Sequence, residues 1–213
     1  MRILINALSA RIGGGQTYLL NLLKLLPATD QLELLVYAPE SLKLPADPRI
    51  KRLSTGWPTT NPLTRALWER FALPRVLSRL RADVLFCPGG VVATRPPAGI
   101  RSVTMFRNML PFDVEARQAM PYGLQRLRVW MLERVMLRSM ASANLVIFIS
   151  EFARRVIESR ISVRRAVTIP HGIPEVFKPG RADDLPRPAL LPPGDYLLYV
   201  SRFEHYKHHY EVV

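Results

Sequence analysis

The run Gly13-Gly14-Gly15 constrains this chain more than any other stretch. It follows the apolar segment Ile3-Leu4-Ile5 and precedes a leucine-rich segment from Tyr18 to Leu26. That order predicts strand, glycine loop, helix. Glycines lack a Cβ, so the backbone there can turn sharply and let a ligand come close. The helix that follows offers free N–H groups and the positive end of its dipole to an anion. Two readings stand at this point: a loop that faces a phosphate or a sugar, or a tight turn with no further role. The pattern is not the dinucleotide fingerprint GxGxxG, because Tyr18 stands where its third glycine belongs, and no Gly-Lys-Ser/Thr follows to make a P-loop.

The same alternation continues down the chain. Strands are expected over residues 2–6, 32–38, 50–53, 83–87, 101–106, 145–149 and 167–169. Their apolar runs lack polar alternation, as strands do when helices cover both faces of a sheet. A helix is expected over 16–26, with Leu19, Leu22, Leu23 and Leu26 at the spacing of one buried face. Residues 64–80 read as two helical pieces, because Pro74 inside one helix would cost ~3 kcal/mol. The longest helix is expected over 122–140, with a polar stripe of Arg126, Glu133, Arg134 and Arg138 and its other, apolar residues mostly buried. Ser150, at the end of the sixth strand, is expected to cap the next helix, with Glu151 complementing the dipole.

Alternating strands and helices with glycine-bearing turns give an α/β fold, a Rossmann-like doubly wound parallel sheet. Ligands of such sheets bind outside the carboxyl ends of the strands. Gly13, Gly14, Gly15, the pair Gly89-Gly90, Arg107, Asn108 and Ser150 all fall at such ends.

Composition narrows the partner. Hydrophobic residues make up 48% of the 213, enough for a large core. The single cysteine, Cys87, excludes a disulfide framework and a cysteine zinc site, and suits a reducing compartment. It reads as a small buried apolar residue. Lys and Arg number 30 against 17 acids, a net charge of +13 that favours an anionic partner. Nucleic acid is the weaker candidate, since no recognised binding module is present and few aromatics interleave with the cations. Arginines at 65–81 and 126–138 fit attraction to an anionic membrane surface, each contributing ~1 kcal/mol. The N-terminal apolar run is too short for a signal peptide, and no stretch reaches the ~20 apolar residues of a spanning helix. A cytoplasmic protein is expected, peripheral on the inner face of the membrane.

From Pro170 the chain becomes proline-rich, and Tyr196 to Val200 then reads as a fresh buried strand. The expected organisation is a domain over 1–170, a linker over 171–194, and the first strand of a further, truncated domain over 195–213.

Taken in order, these pieces resemble the first half of a GT-B glycosyltransferase of the family 4 (glycosyl transferases group 1) type. The resemblance rests on the first strand with Gly13-Gly14-Gly15, the strand leading into Ser150-Glu151-Phe152-Ala153, Ile169-Pro170-His171-Gly172-Ile173 followed by Phe177-Lys178-Pro179, and Tyr196 to Arg202 with Lys207 beyond. It implies a retaining enzyme with no metal and no cofactor, whose nucleotide-sugar donor and saccharide or lipid-linked acceptor meet in a cleft between two domains. The product would be a cell-surface polysaccharide or glycolipid. Arg202 and Lys207 match the cations that grip the donor diphosphate, where fixed positive charge stabilises the leaving group; an ordinary solvated pair is the alternative. Gly14 and Gly15 would lie beside that diphosphate. Gly13, Arg107, Asn108, Ser150 and His171 would line the acceptor side.

Two departures matter. The family's paired glutamates, seven residues apart, lie beyond this chain. Many relatives also carry a histidine after the fifth strand, where this chain has Arg107-Asn108, neither of them a general base at neutral pH. The expectation is therefore that residues 1–213 alone transfer no sugar. A nucleotide-sugar epimerase of the same architecture and a non-catalytic acceptor-binding fragment are the alternatives.

Overall fold

A computed structural model describes residues 1–27, 29, 31–173, 189, 191, 193–195, 198–199 and 209–212. Seven strands form one parallel sheet: β1 (Arg2–Asn6), β2 (Glu33–Tyr37), β3 (Ile50–Arg52), β4 (Val84–Cys87), β5 (Arg101–Phe106), β6 (Leu145–Phe148) and β7 (Ala166–Thr168). Their spatial order is β3-β2-β1-β4-β5-β6-β7. The chain thus winds outward from β1 in one direction, crosses back, and continues from β4 in the other. The reversal lies between β1 and β4, which pair through Ile3 with Val84 and Ile5 with Phe86.

Helices cover both faces because successive strand residues point to opposite sides. On one face, Ile5, Leu34, Val36, Phe86 and Met105 pack under Leu19 and Leu23 of α1 (Gly14–Lys24). On the other, Leu4, Leu35, Leu85 and Cys87 pack under Trp68 of α2 (Pro62–Phe71) and Leu73 and Leu77 of α3 (Leu73–Arg79). Farther along, Phe106, Val146 and Phe148 meet Met136 and Met140 of α5 (Leu124–Ser142) and Ile157 of α6 (Glu151–Glu158). A short helix, α4 (Val114–Ala119), precedes α5. The doubly wound parallel sheet expected from the sequence is the fold observed, with the seven strands expected over residues 2–169 present to within two residues at either end. Pro74 stands in the first turn of α3, the position where its missing N–H costs least.

α5 departs from expectation. Glu133, placed by the sequence on the polar stripe, is buried, together with Val129, Met136, Ser139 and Met140. Its carboxylate is held by Arg117 of α4 and by Arg160 just past α6, the latter at 2.6 Å. Two guanidinium partners satisfy the carboxylate's lone pairs, which is what allows a charge to enter a core. Leu124, Leu127, Trp130, Met131 and Val135 instead stand in solvent. α5 is thus half covered rather than mostly buried.

Of the segment expected as a fresh strand, Leu198 and Tyr199 are described. Both are exposed and neither is in regular structure. The rest of 195–213 apart from Asp195 and 209–212, and most of the proline-rich segment, lie outside the described residues.

Candidate functional site

The crevice of a doubly wound sheet opens where the winding reverses, here above the carboxyl ends of β1 and β4. Beyond β1 the chain runs from Ala7 to Gly13 and into α1. Gly13 has φ +63°, a left-handed conformation open to glycine at little cost. Gly14 and Gly15 already belong to α1, so the helix begins inside the glycine run, two residues before the sequence suggests. A Cβ placed on Gly13 or Gly14 would meet nothing within 4 Å, so that side of the loop faces open space. The N–H groups of Gly14 and Gly15 have no acceptor among the described residues, as first-turn donors of an uncapped helix do not.

Beyond β4 comes Pro88-Gly89-Gly90. A Cβ on Gly89 would sit 2.4 Å from the Ser9 hydroxyl oxygen, so the β1 and β4 turns touch across the switch point. Gly90 has φ +82°.

Arg107, one residue past β5, ties these turns together. Its Nε–H donates to the Pro88 carbonyl at 3.1 Å, and an Nη1–H donates to the Gly14 carbonyl at 3.3 Å. Its guanidinium carbon stands 4.9 Å from the centre of the Tyr18 ring, a cation–π contact. The His171 ring is 5.5 Å from that of Tyr18, centre to centre. Four of the residues singled out in the sequence, Gly14, Gly15, Arg107 and His171, are thus brought together, with Tyr18 among them.

The electrostatics follow from this stacking. Partial burial raises the Tyr18 phenol above its ordinary value, with the Arg107 charge pulling the other way. Partial burial lowers the Arg107 guanidinium, but an arginine remains protonated in any protein setting. His171 is lowered by burial and then by the Arg107 charge, so its imidazole is neutral at neutral pH. No carboxylate pairs with Arg107 among the described residues.

Other expected site residues stand apart. The Ser150 hydroxyl accepts from the Ala153 N–H at 3.2 Å and caps α6, as its sequence context suggests. Asn108 is exposed, and its side-chain oxygen accepts from the Leu110 N–H, closing a turn. Arg202 and Lys207 lie outside the described residues.

Two features were missed in the sequence. Tyr18 counted there only as an absent glycine. Helical side chains lean toward the N-terminus, so a residue three or four past Gly14-Gly15 covers that turn, and this could have been read. The second is a polar pair under α2. Asn6, closing β1, donates to Glu69 at 3.0 Å, and both are buried. Arg65 stands 3.7 Å from the same carboxylate. Burial raises Glu69, opposed by Asn6 and Arg65. An asparagine ending an apolar strand and a lone acid in an arginine-rich helix were the available signals.

A depression of about 360 Å³ lies at the opposite, amino-terminal edge of the sheet, lined by Arg2, Gln31, Glu33, Arg81 and Asp83. Arg2 pairs with Glu33 at 2.6 Å, and Asp83 accepts from the Arg2 backbone N–H. It lies at the edge opposite the crevice that the topology opens.

No curated protein sequence matches the chain. Residues 12–176 match the family described as Glycosyltransferase Family 4. That span is most of the 213 residues and includes the glycine run, the Gly89-Gly90 turn and Arg107. With the doubly wound parallel sheet beneath them, the chain belongs to Glycosyltransferase Family 4.

Proposed function

We propose that this chain is the acceptor-side domain of a retaining glycosyltransferase, and that its crevice above β1 and β4 receives the saccharide or lipid-linked acceptor. The supporting observation is the cluster of Gly13-Gly14-Gly15, Tyr18, Arg107 and His171 at the switch point of a family 4 sheet. In this reading residues 1–170 form the domain, 171–194 the connection, and 195–213 belong to the donor side, with Arg202 and Lys207 facing the donor diphosphate.

The chemistry is a front-face exchange. The bond from the sugar's anomeric carbon to the diphosphate oxygen breaks, and a bond from that carbon to the acceptor oxygen forms on the same face. The acceptor's proton passes to the departing diphosphate, since Arg107 and Asn108 cannot take it. Cations beside the leaving oxygen stabilise the charge that develops there. No cofactor or metal enters the step.

A second element of the reading concerns location. The outer face of α5 interleaves Leu124, Leu127, Trp130 and Met131 with Arg128 and Arg134, and Arg126 lies 4.4 Å from the ring centre of exposed Tyr122 at its start. Apolar and aromatic side chains among arginines suit the interface of an anionic bilayer, which supports peripheral attachment for an enzyme with a lipid-linked acceptor. Among the described residues, no helix is long and apolar enough to cross a membrane.

The test is to offer residues 1–213 a panel of saccharides, nucleoside diphosphates and nucleotide sugars. Saccharide binding without sugar transfer is expected, with turnover restored when a donor-side domain is supplied. Transfer by this chain alone would refute the division of labour, and failure to bind any saccharide would refute the acceptor role.

A further inference from the structure

From Leu53 to Thr64 the chain has no charged side chain, although its net charge is +13. These residues leave the carboxyl end of β3 and lead into α2, and Trp57 stands in their middle, 49% exposed. Gly56, at φ +58°, turns the backbone just before it. The Trp57 indole N–H donates to the Thr64 carbonyl at 3.2 Å, inside the first turn of α2. The Thr55 hydroxyl donates to the Trp57 carbonyl at 2.8 Å, and the Thr64 hydroxyl donates to the Pro58 carbonyl at 2.7 Å. Arg11 of the β1 turn donates to the Thr59 carbonyl at 2.7 Å, so this connection is tied to the turn that leads to Gly13. α2 is in turn anchored to the end of β1 by Asn6 and Glu69. Trp57 is thus a large ring at the carboxyl edge, half in solvent, with its one side-chain polar atom engaged inside the protein. What it offers a partner is its π-face, and the freedom of the ring is lost before any partner arrives.

We propose that Trp57 is a specificity-determining residue, the platform on which an uncharged sugar ring of the acceptor stacks. This rests on the glycosyltransferase reading and extends it. A pyranose has a face of C–H groups and a rim of hydroxyls. The C–H face carries partial positive charge and suits the negative face of an indole. The hydroxyl rim calls for hydrogen-bonding groups without net charge, and Ser54, Thr59 and Thr60 stand within three residues of Trp57. An anionic bilayer would call for cations among the apolar groups instead. That is the pattern on α5, where the Arg134 guanidinium carbon lies 5.2 Å from the Trp130 ring centre, and the segment bearing Trp57 has no cation of its own.

The experiment labels residues 1–213 with 5-fluorotryptophan and reads fluorine NMR, with affinity by calorimetry. Three tryptophans give three resonances, and that of Trp57 is assigned by its loss in Trp57→Phe. Buried Trp68 serves as the silent control and Trp130 as the reporter of α5. The probes are the methyl glycosides of glucose, galactose, mannose, rhamnose and N-acetylglucosamine, and vesicles of phosphatidylglycerol. A glycoside that binds is expected to shift the Trp57 resonance and leave Trp68 and Trp130 in place. Trp57→Ala should weaken that glycoside about tenfold, and Trp57→Phe, which keeps an aromatic face, by about threefold or less. The shift is read in the chain without substitution, so it stands whatever the variants do to folding. A glycoside that binds with Trp57 unmoved, or equally well to a folded Trp57→Ala chain, overturns the proposal and leaves the acceptor role standing. Vesicles moving Trp57 together with Trp130, while a bound glycoside moves neither, overturn it in favour of a membrane contact. If none of the glycosides binds, the acceptor reading falls and the stacking platform falls with it.

Discussion

The Gly89-Gly90 turn walls the crevice, and its two glycines make opposite predictions from what simple distance suggests. A Cβ on Gly89 would lie 2.4 Å from the Ser9 oxygen, the closest approach of any glycine in the chain described here. Ser9 is exposed, its own Cβ is 3.5 Å away, and the φ of Gly89 is not positive. One rotation of the Ser9 side chain clears the clash, so Gly89→Ala should cost less than about 1 kcal/mol. Gly90 has a longer nearest contact, 2.9 Å to the Met136 methyl, with the Met105 carbonyl at 3.4 Å. Its φ of +82° costs an L-residue roughly 1–2 kcal/mol. Met136 is 1% exposed and packed against Phe106 and Met140, so it moves only by disturbing the core, at about 1–3 kcal/mol. Gly90→Ala should therefore destabilise by roughly 2–5 kcal/mol, read as urea unfolding or as a fall in Tm of about 2–4 °C per kcal/mol. Met136→Leu removes the clashing methyl at modest cost. In that background Gly90→Ala should lose only the backbone part, a coupling of about 1–3 kcal/mol in a double-mutant cycle. A Gly89→Ala variant as unstable as Gly90→Ala, or a cycle that closes at zero, would refute this reasoning.

Four further outcomes are expected. Glu133→Gln should cost about 2–3 kcal/mol in urea unfolding, because Arg117 and Arg160 lose their shared charge while remaining only partly hydrated. Asp47 accepts from the Arg49 guanidinium and backbone and is held down to about 2, so its stabilising contact is present above the ordinary carboxylate range and is lost as pH falls toward 2; in Arg49→Gln, which keeps the backbone donor, a carboxyl NMR titration should find it raised part of the way to its usual value. Cys87 is buried and its thiol is pushed up by burial, so aromatic disulfide reagents should label it only as fast as the domain opens. Trp130→Glu with Leu127→Glu should cut flotation with anionic vesicles at least tenfold while leaving Tm within a degree or two, since both side chains are about half exposed; an undiminished flotation would remove α5 from the membrane reading.

What the sequence made legible follows from how local each signal is. β1 and β5 were readable to the residue because an apolar run between polar ends has one strand solution in a parallel sheet. The break at Pro74 and the Ser150 cap were readable because each depends on one residue and its neighbours. α5 was misread because periodicity sorts residues by polarity, and Glu133 is buried by partners 16 and 27 positions away. The same limit governs the site. Gly13 announced its loop locally, whereas the Arg107 contact to Gly14 spans 93 positions and is set by the strand order. His171 was read as a residue of the cleft or of a linker turn, and what decides its electrostatics is Tyr18, far off in sequence.

The two edges of the sheet show why charge has to be read with its partners. At the amino edge Glu33 takes both Arg2 and Lys51, and Asp83 accepts from the Arg2 backbone. These exposed pairs contribute little stability each, but they answer the Glu33 charge within the protein. At the carboxyl edge Glu69 is answered by Asn6 and Arg65, Asp113 by a helix N-terminus, and Glu133 by a pair of arginines. Arg107 there pairs with no acid among the described residues, and it is held in one orientation by two carbonyls and a ring. The turn Gly13 to Gly15 lies beside it, where the winding of the sheet reverses.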